Sequence, residues 1–143
     1  MTRDTNIQHA IFDWQSRLRL GSWDIRYDPK WEDNPEESAN CNYRMNEQVA
    51  TIRIDPEVEG DNLGAHIVHE LAHIVMADYR HLVYNAIAGL GGPTSEILLN
   101  TLSDMEERIC DTVAHALTGV TYIPVGKSKE HHAPFLDTTD CTD

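Results

Sequence analysis

The residues His69-Glu70-Leu71-Ala72-His73 combine the side chains and the spacing of a catalytic metal site. On a helix, positions four apart lie about 40° apart around the axis, so both imidazoles point the same way and can bind one zinc ion. Glu70 lies about 100° from His69, where a carboxylate flanks the metal and can accept a proton from metal-bound water. The spacing therefore predicts His69 and His73 as zinc ligands and Glu70 as a general base.

The residues around this motif predict a buried amphipathic helix, with Asn62 as its N-cap. An apolar stripe at helical spacing would face the core: Ile67, Leu71, Ile74 and Val75. This stripe argues against the competing interpretation, a solvent-exposed helix with two surface histidines. His66, one turn before His69, is expected to be a partly exposed histidine and not a ligand.

A third zinc ligand must come from outside the motif, because catalytic zinc commonly has three protein ligands and one open position. Glu107 and Asp111 are four residues apart on a predicted helix and share a face, so one could bind the metal while the other orients a ligand histidine. Glu106 and Asp78 compete for the ligand position. Neighbouring helix positions diverge by about 100°, so Glu106 and Glu107 cannot both face the metal, and we expect Glu106 to be dispensable.

These motifs resemble those of a known family. HELAH followed by Glu107-x-x-x-Asp111 on a later helix resembles the gluzincin zinc peptidases. The small size, the strands ahead of HELAH and the single glutamate helix are closest to the minimal members called minigluzincins. The segment 107–114, with Pro124 beyond it, is similar to the glutamate helix of ImmA/IrrE-like peptidases of phages and mobile elements, which act on repressors.

The resemblance implies a zinc ion bound by His69, His73 and Glu107, with Asp111 holding His69 from behind. In such enzymes the substrate lies along the edge strand of the sheet, which β-augmentation explains physically. The corresponding strand residues here are Ala39, Asn40, Cys41, Asn42 and Tyr43. No motif marks the tyrosine or histidine that stabilises the oxyanion in this family, and Tyr84 is our candidate for that role.

The elements that would position these residues follow from hydrophobic periodicity. A first helix places apolar side chains on one face, namely Ile7, Ile11, Trp14 and Leu18. Three segments alternate with period two and predict strands at 23–28, 39–45 and 49–54, the last two close enough for a hairpin. The predicted fold class is α+β, with an N-terminal helix, a small three-stranded twisted sheet, the HExxH active-site helix and a C-terminal glutamate helix.

The glutamate helix is predicted over 94–117. Its apolar positions recur at helical spacing and are expected to face the core: Ile97, Leu98, Leu102, Met105, Ile109, Val113 and Leu117.

Length and composition indicate one globular domain. The chain has 143 residues, of which 41% are hydrophobic, and no apolar run approaches the roughly 20 residues that span a bilayer. We expect a metallopeptidase domain at 1–124 and a polar, flexible tail at 125–143. The three cysteines are scattered and the first residues lack a signal-peptide pattern, so we expect a reduced, cytoplasmic protein.

The charge balance limits the partners. A formal net charge of −13 disfavours nucleic-acid phosphates and anionic membranes, so the expected partner is a protein or peptide substrate. The predicted function is zinc-dependent hydrolysis of peptide bonds, with Glu70 as base on a zinc-bound water. The alternative is a non-catalytic binding or inhibitor protein that keeps the metallopeptidase fold and acts through its acidic surface. The intact Glu70 favours the enzyme.

Overall fold

The computed structural model describes residues 2–122, which form seven elements. In chain order these are α1 (Arg3–Arg17), β1 (Asp24–Tyr27), β2 (Ala39–Arg44), β3 (Val49–Ile54), α2 (Asp61–Val75), α3 (Ala77–Ala88) and α4 (Gly92–Thr118). The predicted α+β class and element order are confirmed, while the predicted tail at 125–143 lies outside the described residues. Among residues 2–122, no helix combines the length and the apolarity needed to cross a membrane.

The sheet has the strand order β1-β3-β2. β2 and β3 form the predicted antiparallel hairpin, with Cys41 opposite Ile52, whereas β1 runs parallel to β3, with Ile25 opposite Ala50. β2 is therefore hydrogen-bonded to a neighbouring strand on one side only, and its other edge is available to a further strand.

α2 lies at the centre of the fold. It packs against α1, β2, β3, α3 and α4, and apart from Val75 the predicted apolar stripe is buried. Val75, the last residue of the helix, is 51% exposed. The N-cap is Gly60, with φ at +60°, and not Asn62. Glycine adopts this backbone conformation without steric cost.

The prediction of the buried face of α4 is wrong. Ile97 is 65% exposed, and Met105, Ile109 and Leu117 are between 44% and 46% exposed. The residues that α4 buries are instead small or polar, namely Ser95, Glu106, Cys110 and Ala114. α4 packs against α2 through the face that also carries Glu107 and Asp111, so the position of the site, and not apolar periodicity, determines which side is buried.

Candidate metal centre

Two helices bring three donor side chains together. The imidazoles of His69 and His73 from α2 and the carboxylate of Glu107 from α4 place one donor atom each within 4.8 Å of one another. Glu107 reaches both imidazoles, with Oε2 3.1 Å from His69 Nε2 and Oε1 3.1 Å from His73 Nε2. Its side chain is 56% exposed, so the cluster can be reached from solvent.

This donor set fits zinc. Two ligands about 2.0–2.2 Å from a tetrahedral zinc ion are about 3.4 Å apart; the three donor atoms here lie within 4.8 Å of one another, with one oxygen of Glu107 3.1 Å from each imidazole. Two imidazole nitrogens and one carboxylate are also the donors of a zinc site that keeps a fourth position open. His69, His73 and Glu107 would therefore hold the ion.

Asp111 lies behind His69. Its Oδ1 is 2.8 Å from His69 Nδ1, on the side of the ring opposite to Glu107. A carboxylate at Nδ1 fixes the tautomer in which Nε2 is free for a metal. The resemblance assigned this position to Asp111.

Glu106 is the carboxylate at Nδ1 of His73, as Asp111 is for His69, and the sequence did not predict this role. Its Oε2 is 3.3 Å from His73 Nδ1 and 3.3 Å from Arg80 Nε. Two adjacent glutamates thus lie at the two nitrogens of one imidazole, Glu106 at Nδ1 and Glu107 at Nε2. Only Glu107 belongs to the donor cluster, whereas Glu106, which we expected to be dispensable, is a buried partner of His73. The signal in the sequence was the pair of carboxylates itself, which we treated as rivals.

The protonation of the metal-free cluster follows from these contacts. Burial disfavours the charged form of His69, but hydrogen bonds to Asp111 and Glu107 outweigh it and raise the pKa to about 9. Burial also opposes protonation of His73, whose pKa is nonetheless raised by hydrogen bonds to Cys110, Glu106 and Glu107. Without metal, protons therefore compensate the carboxylates, and a bound cation would displace them.

Glu70 is almost fully buried beside the two histidines, with 4% of its surface exposed. Burial raises the pKa of its carboxyl to about 7, although the charges of His69 and His73 oppose the shift. A carboxylate with a pKa near neutrality can both accept and return a proton at physiological pH.

A cavity of about 780 Å³ connects these groups to the edge strand. Its lining includes the three donors, Glu70 and all five predicted substrate-binding residues of β2: Ala39, Asn40, Cys41, Asn42 and Tyr43. The open edge of the sheet and the donor cluster therefore face one space.

Besides Tyr43 of β2, Tyr122 lines this cavity, whereas Tyr84 does not. Tyr122 stacks on His69, with ring centroids 4.2 Å apart and planes inclined by 16°. Burial and the charge of Glu70 raise its pKa, so its hydroxyl remains a donor at neutral pH. Tyr84 lines a neighbouring cavity, where Arg80 lies 4.4 Å above its ring. Tyr122 was missed because it belongs to no motif. It follows the Gly119 cap that ends α4.

Two further candidates lie outside the donor cluster. His66 is fully buried, not partly exposed as predicted, and its Nδ1 donates to the Asn62 carbonyl at 2.7 Å. Burial lowers its pKa to about 4, which keeps the ring neutral. Asp78 is exposed in the first turn of α3 and does not line the cavity.

No protein-family model, curated protein or solved structure matches this chain. The function is therefore inferred from the chemistry and geometry of the residues themselves.

Proposed function

We propose that this protein is a zinc-dependent peptidase. One observation carries the proposal: His69, His73 and Glu107 converge within 4.8 Å in a cavity that also contains the buried carboxylate of Glu70 and the open edge of β2. A structural zinc site would need a fourth protein ligand, and no fourth donor joins this cluster among the described residues.

The residues in and around the donor cluster have separate roles in the proposed reaction. A zinc ion bound by the three donors would supply Lewis-acid chemistry, polarising a substrate carbonyl and lowering the pKa of water. Glu70 accepts a proton from the attacking water and returns it to the leaving amine. Asp111 and Glu106 hold the two imidazoles in orientation from behind.

The open edge of β2 supports a peptide as substrate. A peptide that adds as a further strand forms main-chain hydrogen bonds with this edge, largely independent of its side chains. Since residues 39–43 line the same cavity as Glu70, such a peptide would pass directly by the donor cluster. The hydroxyl of Tyr122, kept protonated, is our revised candidate donor to the developing oxyanion.

The test is the substitution Glu70→Gln. We expect it to retain about one zinc per chain, because Glu70 is not a ligand, while hydrolysis of peptides falls by roughly 10²-fold or more. Zinc content and peptide cleavage are measured on the same preparation. Glu59→Gln, the same change at an exposed position outside the cavity, is the matched control and should match the wild type.

Loss of zinc in Glu70→Gln, or undiminished hydrolysis, would contradict the assigned role. A wild-type protein that binds zinc and a protein partner but cleaves nothing would instead support the alternative, a non-catalytic binding or inhibitor protein with this fold.

A further inference from the structure

A second cavity, of about 590 Å³, adjoins the first along β2, and we call the two cavities together the groove. Four residues line both cavities, namely Cys41, Asn42, Tyr43 and Arg80. The second cavity continues to Arg44, the last residue of β2, and beyond it to Glu47, and its other wall is formed by α3. A peptide along β2 would therefore extend from the donor cluster into this second cavity.

The two cavities differ in charge. The first is lined by seven carboxylates and two arginines. The second is lined by one carboxylate, Glu47, and by Arg44 and Arg80. Arg44 pairs with Glu47 at 3.1 Å inside this cavity, whereas the carboxylate that Arg80 faces at 3.3 Å, Glu106, does not line it, so Arg80 is the cation that this end of the groove offers to a ligand. In a chain with a net charge of −13, this part of the groove is the one suited to an anion.

The contacts of Arg80 hold its guanidinium in place without using all its donors. Nε faces Glu106 at 3.3 Å, Nη1 donates to the Tyr43 hydroxyl at 3.5 Å, and the group lies 4.4 Å above the Tyr84 ring. The Tyr84 hydroxyl is buried against the same guanidinium. A guanidinium has five N–H donors, more than these contacts use, and a tyrosine hydroxyl can donate its own proton even where it accepts from Arg80, so this wall can offer two donors to a carboxylate.

The position of Arg80 separates it from the reacting atoms. It contacts Glu106, which lies on the Nδ1 side of His73, whereas Nε2 of His73 faces Glu107 and the donor cluster. Arg80 would therefore contact a flanking part of a peptide and not the bond that is cleaved.

We infer that the second cavity is a subsite for a carboxylate of the peptide substrate, recognised by Arg80 and the Tyr84 hydroxyl. The inference rests on the proposed peptidase function. The carboxylate can come from an aspartate or glutamate side chain or from the C-terminus of the peptide.

The test uses two synthetic libraries of random octapeptides, one blocked at both ends and one with a free C-terminus. Wild-type protein is loaded with zinc, and the products are sequenced by mass spectrometry. If the subsite binds an acidic side chain, we expect aspartate and glutamate to be enriched, about tenfold or more, at one fixed position beside the cleaved bond in the blocked library. A C-terminal carboxylate predicts cleavage at a fixed distance from the free end, and little cleavage of the blocked library.

Arg80→Gln should remove either preference, so that the ratio of preferred to other peptides among the products falls to near one. The readout is the ratio between acidic and neutral peptides, which a general loss of activity through Glu106 does not change. Arg80→Lys should retain part of the preference, since it keeps the charge but loses the planar fork. Arg26→Gln, the same charge change on exposed β1 outside both cavities, should leave the ratio intact.

Capture of the same libraries on immobilised, zinc-loaded Glu70→Gln protein separates the two proposals. Acidic enrichment in the captured peptides, without cleavage by the wild type, would support the subsite and overturn the peptidase. Cleavage with no acidic or C-terminal preference, or a preference that survives Arg80→Gln, would overturn the subsite and leave the peptidase standing.

Discussion

At the scale of residues, the site depends on how α4 distributes its carboxylates. Glu107 faces both imidazoles through their Nε2 atoms, while Asp111 and Glu106 each approach one Nδ1 atom. Carboxylates behind ligand histidines fix the rings and strengthen metal binding. Both imidazoles of HELAH are therefore oriented by α4, although the two helices are far apart in sequence.

Substitutions along α4 should separate these roles. We expect Glu107→Ala, which removes a donor, to lower zinc affinity the most, by well over about tenfold, and Asp111→Ala and Glu106→Ala to lower it more mildly, by about tenfold, as is usual for partners of ligand histidines. Zinc affinity is measured by competition with a chelator of known affinity. Glu96→Ala, an exposed glutamate in the first turns of the same helix, is the control. If Glu106→Ala binds zinc as tightly as the control, its contact with His73 has no role in metal binding.

Zinc binding should release protons. The pKa of His69 is raised to about 9 in the metal-free protein, above its ordinary value of 6.5, so below pH 9 a proton must leave before Nε2 can bind metal. Apparent zinc affinity should rise between about pH 6.5 and 9, by up to about tenfold per pH unit for each proton released. Calorimetry in two buffers of different ionisation enthalpy counts the protons. An affinity that does not change with pH in this range would contradict the assignment.

At the scale of elements, the strands were easier to predict than the last helix. β3 alternates between buried and half-buried residues along its length, and the turn at 45–48 sets the hairpin, so local sequence was sufficient. In α4 the apolar stripe does not mark the core. The residues that α4 buries are small or polar, and the ion pairs of Glu106 compensate for its burial. Periodicity could not reveal this, nor could any motif indicate that Tyr122 stacks on His69.

Two alanines two residues apart test which face of α4 is buried. Ala114 is fully buried, whereas Ala116 is exposed. We expect Ala114→Leu to lower the free energy of unfolding by about 1–3 kcal/mol through overpacking, and Ala116→Leu to change it by less than about 0.5 kcal/mol. Urea unfolding of the metal-free protein measures both. The reverse order would show that the apolar stripe, and not the face with Glu106, packs against α2.

At the scale of the whole molecule, the metal would couple α2 to α4. His69 and His73 come from one helix and Glu107 from the other, so a shared ion stabilises the folded state over any state in which the helices separate. With free zinc at about 100 times the dissociation constant, the gain is about 2.7 kcal/mol. Thermal unfolding should therefore move to higher temperature with added zinc and return with a chelator. Glu107→Ala should show a smaller shift at the same zinc concentration, and an equal shift would place the ion elsewhere.

The proposed function also depends on the whole molecule. The open edge of β2, the donor cluster and Glu70 come from distant parts of the chain and meet in one cavity. The most direct measurement is hydrolysis, in ¹⁸O-labelled water by zinc-loaded protein, of a single octapeptide library that pools the blocked and the free-ended peptides. We predict that the wild type produces new C-termini that carry ¹⁸O, and that Glu70→Gln, with its zinc retained, produces them at least about 10²-fold more slowly. A library that the zinc-loaded wild type leaves intact and unlabelled would contradict the account.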